Sequence, residues 1–500
     1  MARSEPMTWI DACVATAPRI ADIATAALLD AFAAPHPRGG PPAPPERPWA
    51  GDFAALERDT ALPAREQVAA SLRQDVDAAQ AELFVRRVLA VDDFLGARDE
   101  LDARVLRVGL RQRLAGILAA ARPHAPRVRA LADFYYSMGC RLAHRHLADA
   151  PSWHHALASL RWHPLADGLA RAELGGDFRE GPTHVNLLRV DPRRVRIDAV
   201  DCRDDVAAGL AFADTVARAG ALAATSGGFF LYSEPDIEPP SRRHDPVGLV
   251  VADGEVRTPP LLGRGALVID ERGHARIDRI TAIGATITSA RGVVHTIASV
   301  HNRAHGRVGP AHDSIAIVGD RVLARGRGLA VPLLGAVVTT HEPLTLEAGD
   351  SVRWRLPAQA AAIRTAMAGG PCLRRADQPL LDLRAEDFWD SAPPVTFSQD
   401  ETGDLNLLPR LAVGLCEGTL VFAAVDGRNF ERALGMTLGE VGALLGALGC
   451  TEVVNLDGGS SKRMVVAGRT LDLASTEITG EGPADPSVRP VYTALFMHAR

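Results

Sequence analysis

Apolar positions recur at spacings of three and four through 8–33 and again through 63–148, in stretches built from Ala, Leu, Arg, Glu and Gln. These residues favour helix, so both stretches are predicted helical. Between them, 35–48 holds seven prolines and two glycines, a composition that cannot sustain a helix and reads as an extended tether. From about Thr183 the texture changes to short β-branched runs, His184-Val185-Asn186-Leu187-Leu188-Arg189-Val190 and Arg194-Val195-Arg196-Ile197-Asp198-Ala199-Val200, punctuated by Asp-Pro and Gly. Strands are expected there. The boundary is expected within 165–182, where Gly175-Gly176 and Gly181-Pro182 break the chain. The expected class is α+β, with a helical domain over 1–170 and a larger domain over 183–500.

Within the second domain, 419–425 is an apolar run that stops at Asp426-Gly427-Arg428, and 451–456 is another that stops at Asp457-Gly458-Gly459. One helix lies between them. Thr437 and Glu440 form a capping box, Leu438, Val441, Leu444, Leu445 and Leu448 an apolar face, and Gly449 a stop. If both strands join one sheet, the crossover makes them parallel and both carboxylates emerge at the same edge. That edge is where ligands bind in α/β layers. Adjacent strands would put the acids about 4.8 Å apart and one intervening strand about 9.6 Å, a range that brackets the carboxylate pairs of glycosidases.

Each of these groups has an ordinary reading beside the chemical one. Asp-Gly is the commonest kind of turn, so Asp426 is equally a loop-closing residue. Asp457 carries more weight, because two glycines allow close backbone approach and Ser460 and Ser461 follow directly. The cap accounts for Glu440. Ser226-Gly227-Gly228-Phe229-Phe230 is a small-residue turn that can bring amides to a ligand or simply bend a strand. The residues 358–367 read as a helix ended by Gly369-Gly370-Pro371. Lys462, the only lysine among 500 residues, follows the Asp457 turn directly, where a cation can hold an anion.

Composition narrows the partners. With 47% hydrophobic and 23% charged residues the chain is globular and long enough for several cores. A net charge of −6 gives no broad basic field, which argues against nucleic acid and favours a small anion. Asp11, Arg19, Asp22 and Asp30 interrupt the first apolar stretch, no membrane-spanning run is visible, and the six cysteines form no CxxC pair. A cytoplasmic setting is the expectation. His144, His146, His154, His155 and His163 cluster without good ligand spacing, and Glu234, Asp236 and Asp245 make no better set, so neither metal nor cofactor is expected.

In order, Ser226-Gly-Gly-Phe-Phe, Gly369-Gly-Pro, Pro409-Arg410-Leu-Ala-Val-Gly414, Val425-Asp-Gly-Arg428, Gly435-Met-Thr-Leu-Gly-Glu440 and Asn455-Leu-Asp-Gly-Gly459 resemble the motifs of the phosphodiester glycosidase family. The resemblance covers about 183–500 and implies a mixed β-sheet catalytic domain that cleaves a sugar-1-phosphodiester. Ser226 stands where the family usually has asparagine, Ser460 where it has a third glycine, and Lys462 where it has a small hydroxyl residue. The usual family setting is secretory or extracytoplasmic, at odds with the expectation from this N-terminus.

On this reading Asp457 is the first choice for nucleophile or general base, with Asp426 as its partner or as an organiser of Arg428, and Glu440 a third candidate acid. Arg410, Arg428, Lys462 and Arg463 form the candidate phosphate clamp, since a phosphate leaves as a weak base and cations can replace an acid. Asn455, Ser226, Ser460, Ser461 and the amides of Gly227, Gly228, Gly458 and Gly459 complete the candidate substrate contacts. Ion pairing or capping is the plain alternative for each arginine. Two other readings stay open: a binding module that kept an anion pocket while catalysis drifted, and N-terminal helices that serve as an oligomer interface or carrier-protein dock.

Overall fold

Asp77 accepts a hydrogen bond from the Gln80 amide at 2.9 Å and starts the helix Ala78–Gly96, whose Ala81, Phe84, Val85, Val88, Val91 and Leu95 are buried at helical spacing. The computed structural model describes residues 50–230, 244–357, 360, 362–376, 378–388, 406–473, 475 and 489–500. The helix expected over 8–33, the tether over 35–48, and Glu234 and Asp236 lie outside them. Ala78–Gly96 packs with Arg65–Leu72, Leu101–Ala119 and Ala125–Ala143 around one apolar core. Arg107 and Arg111 reach across to the buried Asp92 at 2.9 and 2.7 Å, which satisfies its charge inside that bundle. Each large apolar side chain the bundle buries is worth about 1.5–3 kcal/mol.

Strands begin at His163, earlier than expected. Gly175 and Gly176, read from the sequence as a break, lie inside the strand Leu169–Phe178, which pairs residue by residue with Gly181–Val190. The hairpin belongs to an eight-stranded sheet that continues through Thr419–Val425, Arg410–Cys416, Glu452–Leu456 and Cys372–Arg375. Hydrogen-bonded neighbours in it are antiparallel. The sheet is mixed in one sense: Thr419–Val425 and Glu452–Leu456 run parallel, with Arg410–Cys416 between them.

One face of this sheet meets a five-stranded sheet containing Val195–Asp201, Ala223–Ser226, Met464–Val466 and Thr493–Ala499. Its other face is covered by the helix Leu438–Ala447, which buries Leu438, Val441, Leu444 and Leu445. The capping box is formed: Glu440 N–H donates to the Thr437 hydroxyl at 3.2 Å, and Thr437 N–H donates to the Glu440 carboxylate at 2.8 Å. A further five-stranded sheet includes Ile363–Ala368 as its central strand. A helix was expected there. Ile363, Thr365, Ala366, Met367 and Ala368 are all buried between Gly265–Asp270 and Val250–Ala252, and a run buried on both faces carries no period to tell helix from strand. A six-stranded sheet from Thr286–Ser289 to Val352–Arg355 has its own core.

The helical half does not stand apart. Leu407, Phe430 and Leu434 join its core, Phe430 stacks on Phe94 at 3.7 Å, and the Tyr136 hydroxyl donates to the Leu434 carbonyl at 2.8 Å. Leu407 N–H donates to the Ser137 hydroxyl at 2.9 Å. These contacts seat the helix Ala125–Ala143 on the loops that flank Arg410 and Arg428. Among the described residues no helix is long and apolar enough to cross a membrane.

Candidate active site

Leu411 pairs with Ala424 on one side and Leu456 on the other, so Asp426 and Asp457 leave the sheet at the same edge, one strand apart. The separate glycine motifs meet there through main-chain atoms. Asp457 N–H donates to Gly227 O at 3.0 Å, Gly370 N–H to Asn455 O at 2.8 Å, and Gly459 N–H to Pro409 O at 2.7 Å. A Cβ on Gly369 would stand 2.2 Å from Asn455 O, one on Gly228 2.3 Å from Ala368 O, and one on Gly458 2.7 Å from Pro409 O. The glycines are therefore needed for chain to approach chain.

That corrects the expected role of most of the amides. Gly227 N–H is given to Thr493 O at 2.8 Å, Gly228 N–H to the Thr493 hydroxyl at 3.1 Å, and Gly459 N–H to Pro409 O. None is left for a substrate. Only the Gly458 amide, of the four, makes no hydrogen bond among the described residues. Asn455 donates to Gly370 O at 3.0 Å, and its buried Oδ1 has no partner among the described residues.

Asp457 is half-buried at the mouth of this turn. Burial pushes its pKa up to about 7, against the opposing pull of a Ser461 hydrogen bond and of Arg489 and Arg129. Ser460 and Ser461 are buried in the short turn Gly459–Ser461. A carboxyl poised near neutrality can both take and release a proton there.

Asp426 is differently placed. It is wholly buried, and its oxygens accept from Lys462 Nζ, from Leu473 N–H at 3.0 Å and from His184 Nδ1 at 2.5 Å. Burial works against its charge, but Lys462 and His184 outweigh it and hold its pKa below the ordinary value. His184 is raised, by Asp426 first and with help from Glu173 at 3.1 Å. Lys462 also donates to Asp472 at 3.0 Å and to Leu473 O at 3.4 Å. With three ammonium protons committed to protein acceptors, Lys462 is a structural cation; it has no donor left for an anion. Asp426, equally enclosed, organises that cluster and is no second carboxylate for a sugar.

Arg410 is likewise spent at its strand end, where it donates to Met436 O and Asn406 O, both at 3.0 Å. Glu440 is held by its cap. Ser226 accepts from Arg463 N–H at 3.0 Å, and so fixes the Arg463 backbone. Arg463 is almost fully buried, yet its Nε and Nη2 have no acceptor among the described residues. Its Nη1 stands 3.7 Å from Asp472, the carboxylate that Lys462 also holds. Arg489 acts on the charge of both Asp457 and Arg463, which puts the three in one neighbourhood. Arg428 adopts a left-handed φ of 61°, lies 3.5 Å from Asp133 of the Ala125–Ala143 helix, and stands 3.6 Å from where a Gly459 Cβ would be.

Sequence reasoning missed His184, Asp472, Arg489, Arg129 and Asp133. His184 opens a strand already noted, so a histidine beside Gly181-Pro182 was a usable signal. The others carry no mark in the sequence. Of the histidine cluster, His144 bonds Phe430 O at 2.8 Å and His154 stacks on Trp153 at 3.7 Å. Among the described residues no group of three or more His, Cys, Asp or Glu is arranged to hold a metal.

The family model for phosphodiester glycosidases matches residues 332–498. No curated protein matches the chain. Among solved structures, the chain is similar to a hypothetical protein from Synechocystis, with 18% identity, a TM-score of 0.45, and 68% of this chain and 64% of that one covered. It thus spans just under two thirds of that relative. It is also similar to the catalytic domain of zebrafish N-acetylglucosamine-1-phosphodiester alpha-N-acetylglucosaminidase, auto-inhibited by its pro-peptide, with 16% identity, a TM-score of 0.37, and 70% and 87% covered.

Proposed function

We propose that this chain, with its phosphodiester glycosidase segment at 332–498, cleaves the glycosyl C–O bond of a small-molecule sugar-1-phosphodiester and uses Asp457 as general base. The observation that carries the reading is Asp457 itself, half-buried with its pKa near 7 at the turn whose Gly459 faces the Arg428 guanidinium. A nucleophilic carboxylate works best well ionised, whereas a base works best near the ambient pH, so the raised pKa favours the second role. Asp457 takes a proton from water, the water oxygen bonds the anomeric carbon, and the glycosyl C–O bond breaks with its electron pair on the phosphate oxygen. No general acid is required, because Arg463, Arg489 and the Gly458 amide can receive the departing charge. With Asp426 withdrawn, one displacement with inversion at the anomeric carbon is the expected outcome.

The test is a panel of glycosyl phosphodiesters scored for both binding and product, with Asp457→Asn beside the wild type. Release of sugar by the wild type and none by the variant supports the reading. Saturable binding with no product from any member would instead favour an anion-binding module, for which the withdrawal of Asp426 and Lys462 into one buried cluster is the motivating observation.

A further inference from the structure

We propose that the N-terminal helix Ala125–Ala143 forms a wall of the active site, with Asp133 as a positioning residue that holds the Arg428 guanidinium against the Gly458-Gly459 turn. The inference rests on the catalytic reading of Asp457 and extends it to a part of the chain beyond the matched segment 332–498.

Arg129, Asp133, Tyr136, Ser137 and Cys140 are spaced at four, seven, eight and eleven along one helix, which gathers them on one face. The contacts agree with that spacing. Tyr136 bonds Leu434 O at 2.8 Å and Ser137 bonds Leu407 N–H at 2.9 Å, both in loops of the β-rich half. One turn earlier, Asp133 is buried and stands 3.5 Å from Arg428 Nη2, and the Arg428 guanidinium lies within 3.6–3.8 Å of the space above Gly459. A single chain of contacts therefore runs from the helix through Arg428 to the residues that follow Asp457. Arg428 is itself buried, so its guanidinium keeps the position these contacts give it. One turn before Asp133, Arg129 is half-buried on the same face and bears on the charge of Asp457. The helix thus supplies one carboxylate that pairs with Arg428 and, one turn earlier, one cation whose charge reaches Asp457.

Two variants of the full chain test this, with inorganic phosphate as the binding probe and a glycosyl phosphodiester as substrate. Asp133→Ala is expected to weaken phosphate binding and raise KM about tenfold with little change in kcat, and Asp133→Glu to recover most of the loss. Arg129→Gln is expected to raise the pH midpoint of kcat/KM by about one unit, since Asp457 loses one positive charge while Arg489 remains. The second variant keeps the proposal falsifiable if Asp133→Ala fails to fold. Wild-type phosphate affinity, KM and pH midpoint in the folded variants would overturn it. A wild type that binds phosphate yet releases no sugar would overturn the catalytic reading alone, because the Asp133 effect on binding is still read.

Discussion

Lys462 donates its ammonium protons to Asp426, and neither side chain has any exposure to solvent. The one lysine of the chain thus pins the end of Thr419–Val425 to the segment after the Asp457 turn, with Asp472 as its second carboxylate. Lys462→Met removes the cation and leaves two buried acids unbalanced. Loss of one partner from a buried pair typically costs about 3–5 kcal/mol. An unfolding free energy from urea melts lowered by less than about 1 kcal/mol would show that the cluster is not structural.

Asp457→Asn is expected to reduce kcat about a hundred- to ten-thousand-fold while the variant folds normally. It should also melt higher than the wild type above pH 7. The sign follows from the raised pKa: folded Asp457 keeps its proton up to about pH 7 where the unfolded residue loses it near 3.8, so wild-type stability falls as pH rises between those values. Asparagine does not ionise and escapes that loss. Melting curves of both proteins at pH 5 and pH 8 check it; a gap that fails to widen at pH 8 removes the buried acid from the account.

His184→Gln addresses the other end of the charge cluster. Asp426 and Glu173 raise the His184 pKa above its ordinary 6.5, so the stability this ion pair contributes is full below about pH 6.5 and is lost as pH rises through the raised value. The variant should therefore be less stable than wild type at pH 6, with the difference shrinking toward alkaline pH. Thermal melts across that range decide the matter; a constant offset would mean that His184 acts by packing alone.

Glu440→Ala removes half of a capping box and one acid from the candidate list. A loss of about 1 kcal/mol, with kcat/KM per folded molecule unchanged, is the expected result. A large fall in kcat at unchanged stability would return Glu440 to the chemistry.

Much of this architecture could be read before any coordinates. The strand–helix–strand around Thr437 and Glu440 has the expected box, the expected parallel pair and one intervening strand, because capping and crossover rules act within forty residues of chain. Ile363–Ala368 escaped because a strand buried on both faces shows no alternation. The roles of Lys462 and Arg410 escaped for a different reason. Whether a cation serves a ligand or a buried carboxylate depends on partners such as Asp472 and Asn406, and no local pattern announces which distant residue will face it. Asp133 is the extreme case, since its partner Arg428 lies almost three hundred positions away.

The tight meeting of Gly228, Gly369 and Gly458 with neighbouring carbonyls has a consequence for how such a fold can diverge. Because the seam is made of peptide units, a single methyl added at any of those three positions would meet a main-chain carbonyl. Change at this edge must then come from the side chains around the seam, while Asp457 stays where the main chain leaves it.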